Sequence, residues 1–309
     1  MTQTHFKIGT RGSALALWQA DHVAAELQEA HGGVTTEKRL FKTAGDRFLD
    51  RPLAELGGKG LFTRELEESL LNGEIDLAVH SLKDMPTALP EGLVLAAIPV
   101  RADVRDCLVT RAGLGIDNPE IVGTASLRRA CLARTRWKDA HIEAIRGNVG
   151  SRVDRVLAEP PRKCDVVVLA MAGLMRLDLT KRDDLEFRPL NPETWIPAVS
   201  QGALAIQTRA TDTHLIELLG ALHHADTAHC VTAERAFLRG VEGDCRVPVG
   251  AHATVDQGTM RIRGFIGAPD GSKMVVDTLM GPPGPALGEA LAQRLMDAGG
   301  REILRALRA

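Results

Sequence analysis

Two repeated units limit what this chain can fold into. Phe6 to Thr10 reads as a strand that runs through Arg11-Gly12-Ser13 into a helix predicted over about 14–30, with Ser13 as N-cap. Residues 121–126 (Ile-Val-Gly-Thr-Ala-Ser) repeat the pattern ahead of Leu127-Arg128-Arg129-Ala130 and a second helix. Asp76-Leu77-Ala78-Val79 likewise resembles Asp165-Val166-Val167-Val168-Leu169, each an acidic residue opening a fully apolar strand. Continuous apolar strands alternating with helices imply parallel sheets covered on both faces. The expected fold is α/β, with two similar lobes on doubly wound, mainly parallel sheets.

The rest of the chain extends this plan. Ala203 to Arg209 is a strand candidate that could return to the first lobe. After Thr227 a helix is predicted to Arg239, with Gly240 just beyond it. Strand candidates at 249–255, 260–266 and 273–278 and a helix from about Pro285 then form a small α+β domain. The expected divisions are 1–100 with 197–215, then 104–193, then 219–309.

Composition narrows the function. Of the 309 residues, 44% are hydrophobic and 25% charged, the balance of a soluble globular protein. No apolar run reaches membrane-spanning length and the first residues lack a signal-peptide core, so the cytoplasm is the expected location and no membrane partner is expected. A net charge of −2 argues against a nucleic-acid binder. Arg nevertheless outnumbers Lys 29 to 9, and the planar guanidinium suits bidentate recognition of carboxylate or phosphate. A GC-rich genome also inflates Arg, so placement has to decide.

Placement points to a polyanionic ligand. Arg128 and Arg129 fall in the first turn of their helix, where cations oppose the dipole and a bound anion would resolve the conflict. Arg11 before Ser13, and Arg146 and Arg152 around Gly147-Asn148, repeat the arrangement at other strand-to-helix junctions. Gly57-Gly58-Lys59-Gly60 lacks P-loop spacing and reads as a lid carrying one cation. The run from Ile75 to Pro86 is a buried strand ending at His80 that delivers Lys83 and Asp84 into a loop, where open α/β sheets place ligands. Taken alone, Asp84 reads first as a turn residue and His80 as a satisfied strand-end histidine.

The five cysteines show no metal-ligand spacing, and His223, His224 and His229 lack a thiol or carboxylate to complete a set, so no metal is expected. Four cysteines lie in periodic elements, with burial the reading for Cys107 and Cys164. Cys245 lies in the loop Glu242-Gly243-Asp244-Cys245-Arg246-Val247-Pro248, beside an arginine and without a base partner, and reads as an attachment point.

Together these segments resemble the porphobilinogen deaminase (hydroxymethylbilane synthase) family. The motifs run from Thr10-Arg11-Gly12-Ser13 through Gly58-Lys59-Gly60-Leu61-Phe62, Val79-His80-Ser81-Leu82-Lys83-Asp84, Thr124-Ala125-Ser126-Leu127-Arg128-Arg129, Arg146-Gly147-Asn148 and Ala172-Gly173-Leu174 to Ser200-Gln201-Gly202 and the Cys245 loop. The resemblance implies two lobes like those of periplasmic binding proteins and a third domain bearing the cysteine. It implies condensation of four porphobilinogen molecules on a dipyrromethane primer joined covalently to Cys245 by a thioether, then hydrolysis. Asp84 would be the catalytic carboxylate. Ser81, Lys83, Thr124, Ser126, Arg128, Arg129, Arg146 and Gly147 would hold the primer. Arg11, Ser13, Gln19, Lys59, Phe62, Arg152, Arg176 and Gln201 would contact substrate. A monomer is implied, with its product passed to uroporphyrinogen-III synthase.

The chain departs from the family pattern at Asp244, Arg246, Met175 and Ser200, the last where glycine is usual. A non-catalytic anion-binding protein of the same fold would explain the arginines but leave Cys245 without a role. A thiol-dependent acyl-transfer enzyme would lack a base.

Overall fold

The computed structural model describes residues 4–43, 45, 60–161, 163–241 and 247–307. Cys245, Lys59 and the departures Asp244 and Arg246 lie outside them. The chain divides into two units, one of residues 1–102 with 202–228 and the other of 103–201 with 229–309.

In the first unit, β1 (His5–Arg11), β2 (Thr35–Phe41), β3 (Leu77–Ser81), β4 (Leu93–Ala97) and β10 (Leu204–Arg209) form one sheet in the order β2-β1-β3-β10-β4. β1 is parallel to β2 and β3, while β10 runs antiparallel to both its neighbours. The strand expected over 203–209 thus does return to the first lobe, against the direction of the others. Alternation along β3 explains its unbroken apolar run. Leu77 and Val79 join the core shared with α1 (Ala14–Ala30) and α6 (Thr213–Leu219), whereas Ala78 faces the core under α2 (Arg64–Leu71).

The second unit repeats the design with β5 (Asp106–Arg111), β6 (Ile121–Gly123), β7 (His141–Glu143), β8 (Val166–Ala170) and β9 (Leu185–Pro189), in the order β7-β6-β8-β5-β9. Here β5 is the antiparallel strand. Val166 and Val168 pack with α3 (Leu127–Arg136), and Val167 and Leu169 pack with α4 (Val149–Val153) and α5 (Met171–Arg176). The two acidic strand openers do the same work. Asp76 accepts the Lys7 N–H at 2.8 Å, and Asp165 accepts those of Glu120 and Ile121 at 2.8 and 2.9 Å, so each closes the start of its neighbouring strand.

The same unit carries an antiparallel sheet of β11 (Val249–Asp256), β12 (Thr259–Gly267) and β13 (Met274–Gly281). It packs against α7 (Ala225–Gly240) and α8 (Pro285–Leu295), ahead of the short α9 (Arg301–Ala306). The helix predicted to stop at Arg239 runs through Gly240, and it starts at Ala225 with His224 Nδ1 capping the Thr227 N–H at 3.2 Å. Among the described residues no helix is long and apolar enough to cross a membrane.

Candidate active site

The C-terminal ends of parallel neighbours β1 and β3 bring Arg11 and Asp84 to one edge of the first sheet. Leu82 is fully buried and its N–H is held by the Ala203 carbonyl at 3.0 Å. A single 3-10 turn over Leu82–Asp84, closed by the Met85 N–H on the Leu82 carbonyl, then turns Asp84 outward to solvent with Lys83 half-buried beside it.

Asp84 lines a pocket with Arg11, Gln19, Phe62, His80 and Ser81. The Arg11 guanidinium stacks on the Phe62 ring at 4.3 Å from its centroid, and Gln19 Nε2 donates to Ser81 Oγ at 2.8 Å. Five residues expected at the site from sequence therefore do converge: Arg11, Gln19, Phe62, Ser81 and Asp84. Ser13 is the N-cap of α1, its hydroxyl oxygen accepting the Ala16 N–H at 3.3 Å, which leaves its O–H free to donate.

Beneath the pocket lies a polar chain that sequence did not reveal. His80 Nε2 meets Gln207 Oε1 at 3.0 Å, Gln207 Nε2 donates to Glu67 Oε1, and Thr63 Oγ1 donates to Glu67 Oε2, both at 3.2 Å. Because the Gln207 amide nitrogen faces Glu67, its oxygen is left to accept, which makes His80 Nε2 the protonated nitrogen. Burial lowers the His80 pKa to about 4, the Gln207 bond opposes that shift, and the nearby Arg11 charge adds to it. His80 is thus a neutral, satisfied strand-end histidine, as its position implied.

In the second unit the ends of β6, β7 and β8 present Thr124 to Ser126, Arg146 and α5 with Arg176. Ser126 caps α3 by accepting the Arg129 N–H at 3.4 Å, matching Ser13 in the first lobe. Gly147 adopts φ +108°, and a β-carbon there would lie 2.3 Å from Ser151 Oγ. Its carbonyl accepts Arg152 Nε at 2.8 Å. Burial pushes the Arg176 pKa down to about 10.

The arginine pair meets an anion that sequence reasoning missed. Asp106, fully buried at the start of β5, accepts from Arg128 Nη2 at 2.7 Å and from Arg129 Nε and Nη2 at 3.2 and 2.8 Å. Gln201, expected to touch substrate, is itself fully buried and donates to Asp106 Oδ1 and the Val104 carbonyl, both at 2.8 Å. Asp106 therefore neutralises one of the two charges that oppose the α3 dipole. Asp106 opens an apolar strand as Asp76 and Asp165 do, and that pattern was the signal available for it. The flanking guanidinium charges hold its carboxyl well below the usual range despite burial.

Among the described residues two buried guanidinium nitrogens have no hydrogen-bond partner, Arg128 Nε and Arg146 Nη1. Buried polar groups are nearly always paired, so such orphans mark where an acceptor belongs. An arginine-lined edge with spare donors fits a group rich in carboxylates.

Fold and site thus define a two-lobed α/β protein with arginines at the strand ends of each lobe and the Asp84 carboxylate lining a pocket of the first. Residues 6–217 match the family model described as porphobilinogen deaminase, dipyromethane cofactor binding domain, and residues 228–297 match porphobilinogen deaminase, C-terminal domain. A protein described as porphobilinogen deaminase from Pelobacter propionicus is 46% identical over 308 residues, 98% of this chain and 97% of that one. Proteins of the same description from Syntrophotalea carbinolica and Geobacter metallireducens are each 44% identical, covering 99% and 98% of this chain and 97% and 95% of their own. The chain belongs to the porphobilinogen deaminase family.

Proposed function

We propose that this protein condenses four porphobilinogen molecules head to tail, releasing one ammonia at each step, and hydrolyses the linear tetrapyrrole free as hydroxymethylbilane. The carrying observation is Asp84, a solvent-facing carboxylate on a buried strand end beside Arg11, Gln19 and Ser81. When ammonia leaves porphobilinogen, the C–N electron pair goes to nitrogen and a cationic azafulvene remains. A carboxylate fixed against the pyrrole N–H groups stabilises that cation, and it can shuttle the proton that ammonia needs in order to leave. Arg11 would orient the substrate through its acetate or propionate, with charge-assisted hydrogen bonds contributing about 1.5–3 kcal/mol each. Lys83, Lys59, Ser13 and Phe62 complete the substrate side in this reading.

The dipyrromethane cofactor, when bound, supplies the free pyrrole carbon onto which units are joined. Cys245 would hold it through a thioether, with Ser81, Lys83, Thr124, Ser126, Arg128, Arg129, Arg146 and Gly147 around its carboxylates. Arg152 and Arg176 would meet the added units, and Gln201 would act through Asp106. The working divisions are 1–100 with 197–215, 104–193, and 219–309. The protein is a cytoplasmic monomer that passes its product to uroporphyrinogen-III synthase.

Asp84→Ala tests the core of this reading. It should fold and keep its primer, while turnover of porphobilinogen falls by about 10²–10⁴-fold. Near-normal turnover would remove Asp84 from the chemistry.

A further inference from the structure

Asp106 has two oxygens and roughly four acceptor sites, yet it receives five N–H bonds from four side chains. Oδ2 takes Arg128 Nη2 at 2.7 Å and Trp195 Nε1 at 2.9 Å. Oδ1 takes Arg129 Nε, Arg129 Nη2 and Gln201 Nε2, at 3.2, 2.8 and 2.8 Å. These donors come from α3 and from the segment 195–201, so one carboxylate ties two stretches of chain to β5. The far sides of the guanidiniums are fixed as well, Arg128 Nη1 by the Ile196 carbonyl at 2.8 Å and Arg129 Nη1 by the Val168 carbonyl at 2.9 Å.

An arrangement built for stability alone would leave no charge unbalanced. Here two buried guanidiniums share one carboxylate, and Arg128 Nε has no acceptor. The cluster therefore keeps one unit of positive charge, held rigidly at the first turn of a ten-residue helix. Fixed charge in a dry surrounding acts strongly on an anion placed beside it, and it needs no reorganisation when the anion arrives.

We propose that Asp106 is the positioning residue of the second lobe: it locks Arg128 and Arg129 into one geometry and trims their charge to that of a site for a single ligand carboxylate. The inference rests on the functional reading above. Without Asp106 the guanidiniums would repel, leave their fixed positions and lose the register with which they meet a primer or substrate carboxylate.

The test is Asp106→Asn in the full chain, read by intact mass, thermal melting and steady-state kinetics. After incubation with porphobilinogen, the fraction of folded chains carrying a two-unit mass increment should fall about ten-fold, as when an orienting outer residue is removed from a site. On molecules that do load, KM for porphobilinogen should rise by a similar factor while kcat stays within about two-fold. A variant that melts lower but loads and binds like the wild type would overturn the inference, because only a structural role would remain. Should Asp106→Asn not fold, Trp195→Phe decides the matter. It keeps an aromatic ring of smaller size and removes the indole donor, and loading should fall about two- to three-fold, whereas unchanged loading would overturn the inference. A wild-type chain with no increment would sink the functional reading and this inference together; a normal wild type beside a normally loading Asp106→Asn would overturn the inference alone.

Discussion

Ser200, one of the departures from the resembled pattern, has a backbone φ of +62°, in the left-handed region. A residue with a β-carbon is strained there by about 1 kcal/mol. Its side chain adds a second cost, because Oγ is buried without a hydrogen-bond partner, and an unsatisfied hydroxyl costs about 1–2 kcal/mol. The contact that fixes the residue is made by its backbone, whose N–H donates to Glu234 Oε2 at 2.6 Å, and glycine would keep it. Against these gains glycine loses about 0.5–1 kcal/mol through the greater freedom of the unfolded chain. Ser200→Gly should therefore stabilise the second unit by about 1–2 kcal/mol, raising its melting temperature by about 3–6 °C for a unit of this size. Ser200→Ala removes the hydroxyl and keeps the strained β-carbon, but it is spared the glycine entropy loss, so it should also gain about 1–2 kcal/mol. Calorimetry on the three proteins separates the two causes. A Ser200→Gly protein no more stable than the wild type would refute the reasoning, and a Ser200→Ala protein no more stable than the wild type would eliminate the unsatisfied hydroxyl as a cause.

Two further outcomes are expected. His80 is held neutral with its pKa lowered to about 4, so between pH 6.5 and 4 the unfolded chain takes up a proton that the folded chain refuses. Stability should therefore fall as pH drops through that window, by about 3 kcal/mol in all, and level off below it. His80→Gln should flatten that slope in urea titrations at several pH values; an unchanged slope would place the effect elsewhere. Gly288 in α8 lies so close to α7 that a β-carbon would sit 1.9 Å from the Ala233 carbonyl oxygen. Gly288→Ala should cost about 3 kcal/mol by forcing the helices apart, and a wild-type melting temperature would contradict that packing.

Local chemistry was legible in the sequence where it is decided locally. Ser13 and Ser126 cap their helices as the pattern implied, and the apolar runs at 77–79 and 166–169 are strands buried on both faces. The direction of β10 was not legible, because an apolar strand carries no mark of the neighbour it pairs with. The partner of Arg128 and Arg129 was hidden for a similar reason. Asp106 precedes them by more than twenty positions in another element, and only the fold closes that distance. The resemblance implies a substrate contact for Gln201; the burial of its amide against Asp106 and the Val104 carbonyl joins residues far apart in the chain, which no local spacing announces. The Gln207–Glu67 chain under His80 joins residues well over a hundred positions apart, which no spacing rule reaches.

The central claim is that this chain builds its product on a primer anchored at Cys245. The intact mass of the denatured wild type beside Cys245→Ser tests it most directly. The account predicts an excess equal to two deaminated porphobilinogen units on the wild type, absent from the variant. No excess on the wild type, even after incubation with porphobilinogen, or the same excess on both proteins, would contradict it.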